Sequence, residues 1–278
     1  MTTQHDKAES FQRLHKRQGA FVIPNPWDAG TAVILASMGF EALATTSAGL
    51  AFALGQRDGG GLTRDAALAN VRAIAEATAL PVSADLENCY ADDPAEAAQT
   101  LVLAAEAGAV GGSIEDASGD PDKPIYDFNL AVERVAAAVE AVRRLPFPFT
   151  LTARAENFLQ GRNDLDDTLR RLEAFEKAGA DVLYAPALPG LDVIRKVCTA
   201  IGKPVNVLAG ARQTHSLAEL QEVGAKRISV GSALNRAALG AFLKAARELK
   251  DSGTVDFLRD AAPYADIQAL MPKPAKVR

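Results

Sequence analysis

Residues 80–116 read LPVSADLENCYADDPAEAAQTLVLAAEAGAVGGSIED, and the pattern within this stretch decides the fold. A short apolar run at 80–86 leads into an amphipathic helical stretch at 93–108, and a second short run follows at 109–116. Both runs are mostly apolar rather than alternating, which is typical of parallel strands that have helices on one face and a core on the other. The stretch therefore predicts a strand–helix–strand unit of a parallel sheet.

The same alternation recurs along the chain, with roughly eight apolar runs that are each followed by a helical stretch. Glycines end several of these helical stretches just before the next run: Gly39, Gly108, Gly179 and Gly224. We predict one (β/α)8 TIM barrel over residues 1–278, with an N-terminal helix at 5–18 and a C-terminal helical tail at 253–278. A doubly wound open sheet is the alternative, but IPNPWDAG at 23–30 is not a dinucleotide or phosphate-binding fingerprint.

The composition limits the classes of partner. The chain has 278 residues, 48% of them hydrophobic and 23% charged, which is typical of a soluble globular protein. A formal net charge of -5 provides no basic field for binding nucleic acid. The N-terminal segment lacks the apolar run of a signal peptide, and no stretch reaches the ~18 to 20 apolar residues of a membrane helix. We therefore expect a cytoplasmic protein that acts on a small molecule.

The two cysteines, Cys89 and Cys198, do not have the spacing of a zinc site or a redox pair. Cys198 falls on the apolar face of a predicted helix, where a thiol packs as a small hydrophobic group. Cys89 follows an acidic pair, but no histidine lies near it in the sequence to activate it. We therefore expect neither thiol to act as a nucleophile.

Acidic residues follow consecutive predicted strands. Asp58 lies in the loop after the second strand, and Asp85 and Glu87 follow the third. Glu115 follows the fourth strand. These loops share one face of a barrel, where several carboxylates repel one another unless a cation or protons intervene. Oxygen ligands without His or Cys favour Mg²⁺, or alternatively Mn²⁺, over zinc, so the sequence predicts a divalent-metal site at these four residues.

Other charged residues near the strand ends have two possible roles. We assign Asp92, Asp116 and Glu156 to helix capping or ion pairing, which are common roles for single acids after strands. Arg154 ends the fifth strand and could either pair with these acids or bind a substrate carboxylate. The second role is favoured, because a planar guanidinium binds a carboxylate through two hydrogen bonds.

The turn TTSAGLA at 45–51 follows the second strand. It offers the Ser47 hydroxyl and the backbone N–H groups of Ala48 and Gly49 to an anion, although a tight packing turn is an equal alternative. The candidates for catalysis are Arg154, Ser47 and Asp58. The candidates for substrate binding are Ser47, Ala48, Gly49, Asp85 and Arg154.

Five stretches, in this order, resemble the isocitrate lyase/phosphoenolpyruvate mutase superfamily: NPWDAGTAVILASMGFEALATTSAG (25–49), PVSADLENCY (81–90), AGAVGGSIED (107–116), LTARAENFLQGRNDLDDTLRRLEAFEKAGAD (151–181) and GAKRISVGSALNRAALGAF (224–242). The resemblance implies a Mg²⁺-dependent barrel enzyme that makes or breaks a C–C or P–C bond next to a 2-oxo acid. The reaction would pass through an enolpyruvate-like oxyanion. The resemblance also implies a homotetramer in which paired subunits exchange the last barrel helix, which follows Ser232.

The resemblance gives each candidate a role. Asp85 would contact the metal most directly, Arg154 would bind the substrate, and Ser47 with its neighbouring N–H groups would hold the carboxylate end. The residues that hold the metal largely through waters would be Asp58, Glu87 and Glu115.

The chain departs from the superfamily pattern in the loop ASGDPDKPIYDF at 117–128. This loop lacks the Lys-Lys-Cys-Gly-His-like motif of the lyases and the Lys-Thr-Asn-like motif of the mutases. Cys89 takes the place of a glycine, and Thr45 takes the place of an aromatic residue. A catalytically silent relative that binds a 2-oxo acid is therefore one alternative. A phosphosugar aldolase or isomerase, suggested by SVGSALNR at 229–236, is another, but no lysine ends a strand to form a Schiff base.

Overall fold

The computed structural model describes residues 2–210 and 215–272. Its strands are β1 (Phe21–Ile23), β2 (Leu43–Ala44), β3 (Val82–Ala84), β4 (Gly111–Glu115), β5 (Thr150–Arg154), β6 (Val182–Tyr184), β7 (Val205–Leu208) and β8 (Arg227–Ser229). They form one parallel sheet in the order β1-β8-β7-β6-β5-β4-β3-β2. The N–H of Ala44 in β2 donates to the carbonyl of Pro24, just after β1, at 3.1 Å. The sheet is therefore a nearly closed barrel, so the predicted TIM barrel is confirmed and the open doubly wound sheet is wrong.

Helices alternate with the strands along the chain. They are α1 (Gln4–Lys16), α2 (Ala29–Ser37), α3 (Ser47–Ala53), α4 (Arg64–Ala77), α5 (Pro94–Glu106), α6 (Phe128–Arg143), α7 (Leu165–Ala178), α8 (Gly190–Ala200), α9 (Leu217–Glu222), α10 (Ala233–Ser252) and α11 (Tyr264–Leu270). Local signals start many of them. The Asp93 side chain, for example, accepts hydrogen bonds from the first-turn amides of α5, which has proline at its first position.

An aromatic plug closes the end of the barrel where the strands begin. Phe11 and His15 of α1 pack edge to face at 4.7 Å, and His15 packs on Phe21 of β1 at 5.0 Å. His15 Nδ1 lies 2.8 Å from the Phe11 carbonyl oxygen. Burial lowers the pKa of His15 to about 3, so the ring is neutral at physiological pH. With this end plugged, a ligand enters the barrel from the end where the strands finish.

Two glycines at the start of β4 let helices and strands approach closely. A Cβ on Gly111 would lie 2.8 Å from the Thr150 carbonyl oxygen and 2.9 Å from Phe11 Cε1. A Cβ on Gly112 would lie 2.9 Å from Leu101 Cδ2 on α5. Side chains at either position would push α1 or α5 away from the barrel, since packed interiors have no spare volume.

The C-terminal helices pack on the barrel very little. Along α10 only Asn235 is buried, while Phe242 is 66% exposed and Leu249 is 54% exposed. A short 3₁₀ helix (Asp256–Arg259) and α11 follow α10. The end of the predicted tail, residues 273–278, lies outside the described residues. In the part of the chain that the structure describes, no helix combines the length and the apolar character that crossing a bilayer requires.

Candidate active site

Three strand ends place charged residues side by side at the open end of the barrel. Asp85 directly follows β3, Glu115 ends β4, and Arg154 ends β5. Strands β4 and β5 pair so that Glu115 lies opposite Arg154. Because all strands of a parallel barrel finish on the same face, the structure brings these three predicted site residues together there.

Arg154 lies at the centre of this face and forms ion pairs with three carboxylates. Its Nη1 donates to Asp85 Oδ1 at 2.8 Å, and its Nη2 lies 2.9 Å from Glu115 Oε2. Its Nε donates to Glu156 Oε1 at 2.8 Å. Burial alone would lower the pKa of Arg154, but Glu115, Glu156 and Asp85 raise it well above its ordinary value. The guanidinium is therefore charged and fixed in position, 5.0 Å from the centre of the Tyr184 ring.

Asp85 links Arg154 to the start of α3. Its Oδ2 accepts hydrogen bonds from the backbone N–H and the Oγ of Ser47, both at 2.9 Å. Its own N–H donates to Thr45 Oγ1 at 2.8 Å. Ser47 and Asp85, two of the predicted substrate-binding residues, are thus hydrogen-bonded to each other. A substrate carboxylate that bound Ser47 would take the place of Asp85 there.

The remaining residues of the turn at 45–51 differ in whether they pack in the interior or line the cavity. Thr46 caps α3, and its Oγ1 accepts a hydrogen bond from the Gly49 N–H at 3.2 Å. A Cβ on Gly49 would lie 2.6 Å from Thr46 Cγ2 and 3.1 Å from Trp27 Cβ, so glycine is needed for packing. Ala48, by contrast, lines the central cavity. The tight packing turn therefore explains Gly49, while Ser47 and Ala48 face the site.

Asp58 and Glu87 add negative charge to this end of the barrel, and neither forms an ion pair with a basic residue in the described part of the chain. Burial raises the pKa of Asp58, and the nearby Asp85 raises it further. Burial, Asp85 and Asp58 together raise the pKa of Glu87 to about 7. Glu87 Oε1 is buried and has no hydrogen-bond partner among the described residues. The site therefore carries more negative than positive charge.

Two cavities open at this end of the barrel. A central cavity of about 210 Å³ extends into the lumen and is lined by five of the predicted residues: Ser47, Ala48, Asp58, Asp85 and Arg154. A wider cavity of about 1240 Å³ between the surrounding loops is lined by Asp58, Glu87 and Glu115. The central cavity is of a size that suits a small ligand.

Comparison with known proteins places the chain in a family. The sequence profile of phosphoenolpyruvate phosphomutase matches residues 11–250. The chain belongs to the phosphoenolpyruvate phosphomutase family. A candidate lyase/mutase of Burkholderia cenocepacia has a similar crystal structure, with a TM-score of 0.93 and 59% identity over 96% of this chain and 95% of that one. An uncharacterised protein of Mycobacterium tuberculosis is 33% identical over 94% of this chain and 95% of its own length.

A third relative connects this phosphomutase-family chain to the wider superfamily. The crystal structure of 2,3-dimethylmalate lyase, described as a member of the phosphoenolpyruvate mutase/isocitrate lyase superfamily, has a TM-score of 0.84 and 28% identity. The likeness covers 97% of this chain and 95% of that one. The predicted superfamily is confirmed, and the phosphosugar aldolase alternative is set aside. Other relatives include a 2-methylisocitrate lyase of Escherichia coli and a carboxyvinyl-carboxyphosphonate phosphorylmutase of Arabidopsis thaliana.

The donor set of this phosphomutase-family site fits a hard divalent cation. It supplies carboxylate oxygens without imidazole or thiolate, which is the ligand chemistry of Mg²⁺ or Mn²⁺. The unpartnered Glu87 Oε1 and the raised pKa values of Asp58 and Glu87 indicate unbalanced negative charge. Within residues 2–210 and 215–272, no group of three or more His, Cys, Asp and Glu side chains could hold a metal ion by itself. A cation here would therefore also need water ligands.

In the structure Arg154 has the ion-pair role, one of the two roles that the sequence analysis gives it, because carboxylates lie at its Nε, Nη1 and Nη2. The favoured role, binding of a substrate carboxylate, stays a prediction. The predicted ion-pair roles of Asp116 and Glu156 are confirmed, since Asp116 Oδ2 lies 2.9 Å from Arg171 Nη1 and Glu156 pairs with Arg154. Asp92 has a different role, because it accepts a hydrogen bond from the Tyr126 hydroxyl.

Cys89 is fully buried next to the acidic residues. Burial raises the pKa of Cys89 to about 12, so the thiol stays protonated and unreactive, as the sequence analysis expects. Its φ of 61° is in the left-handed region, which glycine adopts more easily than other residues. Glycine, which the superfamily resemblance implies at this position, would adopt this conformation without strain.

The residues of the central cavity that sequence analysis missed include Tyr184 of β6 and Arg227 of β8. Tyr184 could not be distinguished from the apolar residues around it, because an aromatic residue in a buried strand is ordinary. Arg227 did give a signal, since it is a charged residue inside the strand run AKRISVG at 225–231. Buried arginines are rare unless they are paired, so such a residue marks a position to inspect.

Proposed function

We propose that this chain is a Mg²⁺-dependent enzyme that makes or breaks a C–C or P–C bond next to a 2-oxo acid, through an enolpyruvate-like intermediate. Its substrate would be a small 2-oxo or 2-hydroxy diacid, or a phosphonate analogue. The observation that carries this proposal is the unbalanced negative charge of Asp58 and Glu87 beside the Asp85–Arg154 pair. Charge arranged in this way at the mouth of a barrel is suited to binding a hard cation.

In this proposal Asp85 holds Mg²⁺ most directly, and the residues that hold it largely through waters are Asp58, Glu87 and Glu115. The bound ion supplies positive charge that polarises the oxygens of the 2-oxo acid and stabilises the charge that develops as the bond breaks. The remaining roles belong to side chains of the chain itself.

Arg154 supplies the protein cation at the same place. Its ion pairs with Glu115 and Glu156 hold the guanidinium in position even when Asp85 moves, so the N–H groups that faced Asp85 can stabilise a developing oxyanion. Ser47 lines the cavity with its Oγ and N–H, and both groups can donate to a substrate carboxylate once Asp85 turns away. Asp58 lies beside Ser47 and lines the same cavity, so this carboxylate is placed to exchange a proton with the substrate.

The test is a substrate screen with a matched pair of variants. Isocitrate, methylisocitrate, oxaloacetate, 2-oxo-3-deoxy acids and phosphonopyruvate are incubated with the protein, with and without Mg²⁺, and pyruvate or glyoxylate is measured. We expect turnover of at least one acid, loss of turnover in EDTA, and loss of turnover in Asp85→Asn. The control is Asp166→Asn, which changes an exposed acid of α7 and should behave as the wild type. Full activity in EDTA would show that the proposal is wrong.

A second candidate function follows from the loop at 117–128, which contains neither cysteine nor histidine. A relative without the proton donor of the lyases could bind a 2-oxo acid without converting it. Saturable binding of oxalate or pyruvate, with no turnover of any acid in the screen, would support this candidate over the enzyme.

We also propose that the chain forms homotetramers in which paired subunits exchange α10. The support is the poor packing of this helix on its own barrel, where only Asn235 of α10 is buried. A long helix with exposed apolar side chains is stabilised when another subunit covers it.

A further inference from the structure

Arg227 is a buried arginine inside the barrel. It is the first residue of β8 and lies opposite Phe21 of β1 and Asn206 of β7. Its Nε donates to Asn206 Oδ1 at 2.8 Å, and its Nη2 donates to Thr152 Oγ1 at 3.0 Å. Its Nη1 is buried and has no hydrogen-bond partner in the described part of the chain. Only 5% of Arg227 is exposed.

No carboxylate of the described residues forms an ion pair with this guanidinium. The titratable groups that face it are Tyr184, Arg154 and, from α1, His15. Burial lowers the pKa of Arg227 to about 10, Tyr184 raises it, and Arg154 lowers it, so the side chain is charged at neutral pH. His15 is neutral. Leaving a buried charge without a counter-ion is costly, and the polar contacts to Asn206 and Thr152 replace only part of its lost hydration.

The central cavity connects Arg227 with the reactive end of the site. Both Arg227 and Arg154 line this cavity of about 210 Å³, and its lining also includes the small residues Ala44, Ser83 and Ser113. A cavity of this volume suits a short organic acid, which could reach both arginines.

The positions of Arg227 and Arg154 along the barrel axis also suit a short diacid. Arg227 bonds to Thr152, which lies two residues before Arg154 on β5. Two residues of a strand span about 6.6 Å. A short diacid such as malate can extend over this distance. Of the two arginines, Arg154 is occupied by protein carboxylates, whereas Arg227 is not.

We propose that Arg227 binds the second anionic group of the substrate, a carboxylate or a phosphonate, at the floor of the central cavity. This inference rests on the proposed function, because it assigns the far end of the same substrate. Asn206 orients the guanidinium through its Nε, and Ser229, whose Oγ accepts a hydrogen bond from Asn206 Nδ2 at 3.0 Å, completes the polar floor. Arg227 is thus a specificity-determining residue that selects diacids over monoacids.

The test uses two probes that differ only at the proposed group. Lactate and malate share a 2-hydroxy acid end, and malate adds a second carboxylate. Their dissociation constants are measured by calorimetry in the presence of Mg²⁺ for the wild type, Arg227→Met and Arg227→Lys. A hydrogen-bonded charge contributes about 1.5–3 kcal/mol, which corresponds to about 10- to 100-fold in affinity.

We expect the wild type to bind malate more tightly than lactate. Arg227→Met should weaken malate binding by about 10- to 100-fold and change lactate binding by less than about 2-fold, since only malate reaches the floor. Arg227→Lys keeps the charge and should retain part of the preference for malate. Circular dichroism shows whether each variant folds. A crystal of the wild type soaked with malate provides a second readout that needs no variant.

Other outcomes separate this inference from the proposed function. Equal affinity of the wild type for lactate and malate would overturn the Arg227 assignment alone, and so would equal weakening of both acids in Arg227→Met. In the soaked crystal, malate bound with both carboxylates away from Arg227 would do the same. If the wild type binds neither acid with Mg²⁺, the Arg227 assignment fails, whereas the proposed function is decided by the turnover screen.

Discussion

Replacing Arg154 with methionine would show how strongly this residue stabilises the acidic end of the barrel. The substitution leaves Asp85, Glu115 and Glu156 at least four-fifths buried without their cation, since these side chains are 19%, 13% and 1% exposed. Breaking a buried ion pair by removing one partner costs about 3–5 kcal/mol. We therefore expect Arg154→Met to lose about that much of its free energy of unfolding, measured by urea titration at pH 7.5 without metal.

The loss of stability in Arg154→Met should depend on pH and on the presence of Mg²⁺. Burial already raises the pKa of Glu115 and of Glu156, and Arg154 opposes this effect. Without Arg154 the folded carboxyls bind protons at higher pH than the unfolded ones, so the variant becomes relatively more stable as the pH falls. The difference in the free energy of unfolding between the wild type and Arg154→Met should become smaller from pH 8 to pH 6. Mg²⁺ should shrink it as well, because a bound cation replaces part of the missing charge.

The matched control is Arg72→Met, which changes an exposed arginine of α4 and should alter the stability by less than about 0.5 kcal/mol. A loss below about 1 kcal/mol for Arg154→Met, at every pH, would refute the view that this guanidinium is the counter-ion of the site. It would then be available as the substrate clamp that the sequence favours.

Two further predictions concern the barrel floor and the C-terminal helix. Because of His15, the free energy of unfolding of the wild type should fall by about 2 kcal/mol between pH 7 and pH 5. In the unfolded chain the ring gains a proton below about pH 6.5, whereas the buried ring, with a pKa of about 3, does not. Urea titrations of His15→Gln should show a pH dependence weaker by that amount, and an unchanged dependence would contradict the burial argument. Phe242→Glu should dissociate the proposed tetramer in light scattering, whereas Lys250→Glu near the end of the same helix should not. A monomeric wild type would exclude helix exchange.

The sequence by itself determined the barrel and the set of charged residues at its mouth. Strand runs that are nearly all apolar, separated by helical stretches, are compatible with few folds other than a parallel barrel. Residues such as Asp85 and Glu115 could be placed at the site because they lie just after apolar runs, and the ends of parallel strands share one face. These inferences need only the position of a residue along its own strand.

Only the tertiary structure decided which charges pair and which remain unpaired. Arg154 meets Glu115 through the register of β4 against β5, and no local pattern specifies that register. Among the described residues Arg227 has no ion-pair partner, because it contacts Asn206 and Thr152 rather than an acid, and these residues come from distant parts of the chain. The physical reason is that electrostatic energy depends on distances and on burial, both of which are set by how separate strands and loops come together in space.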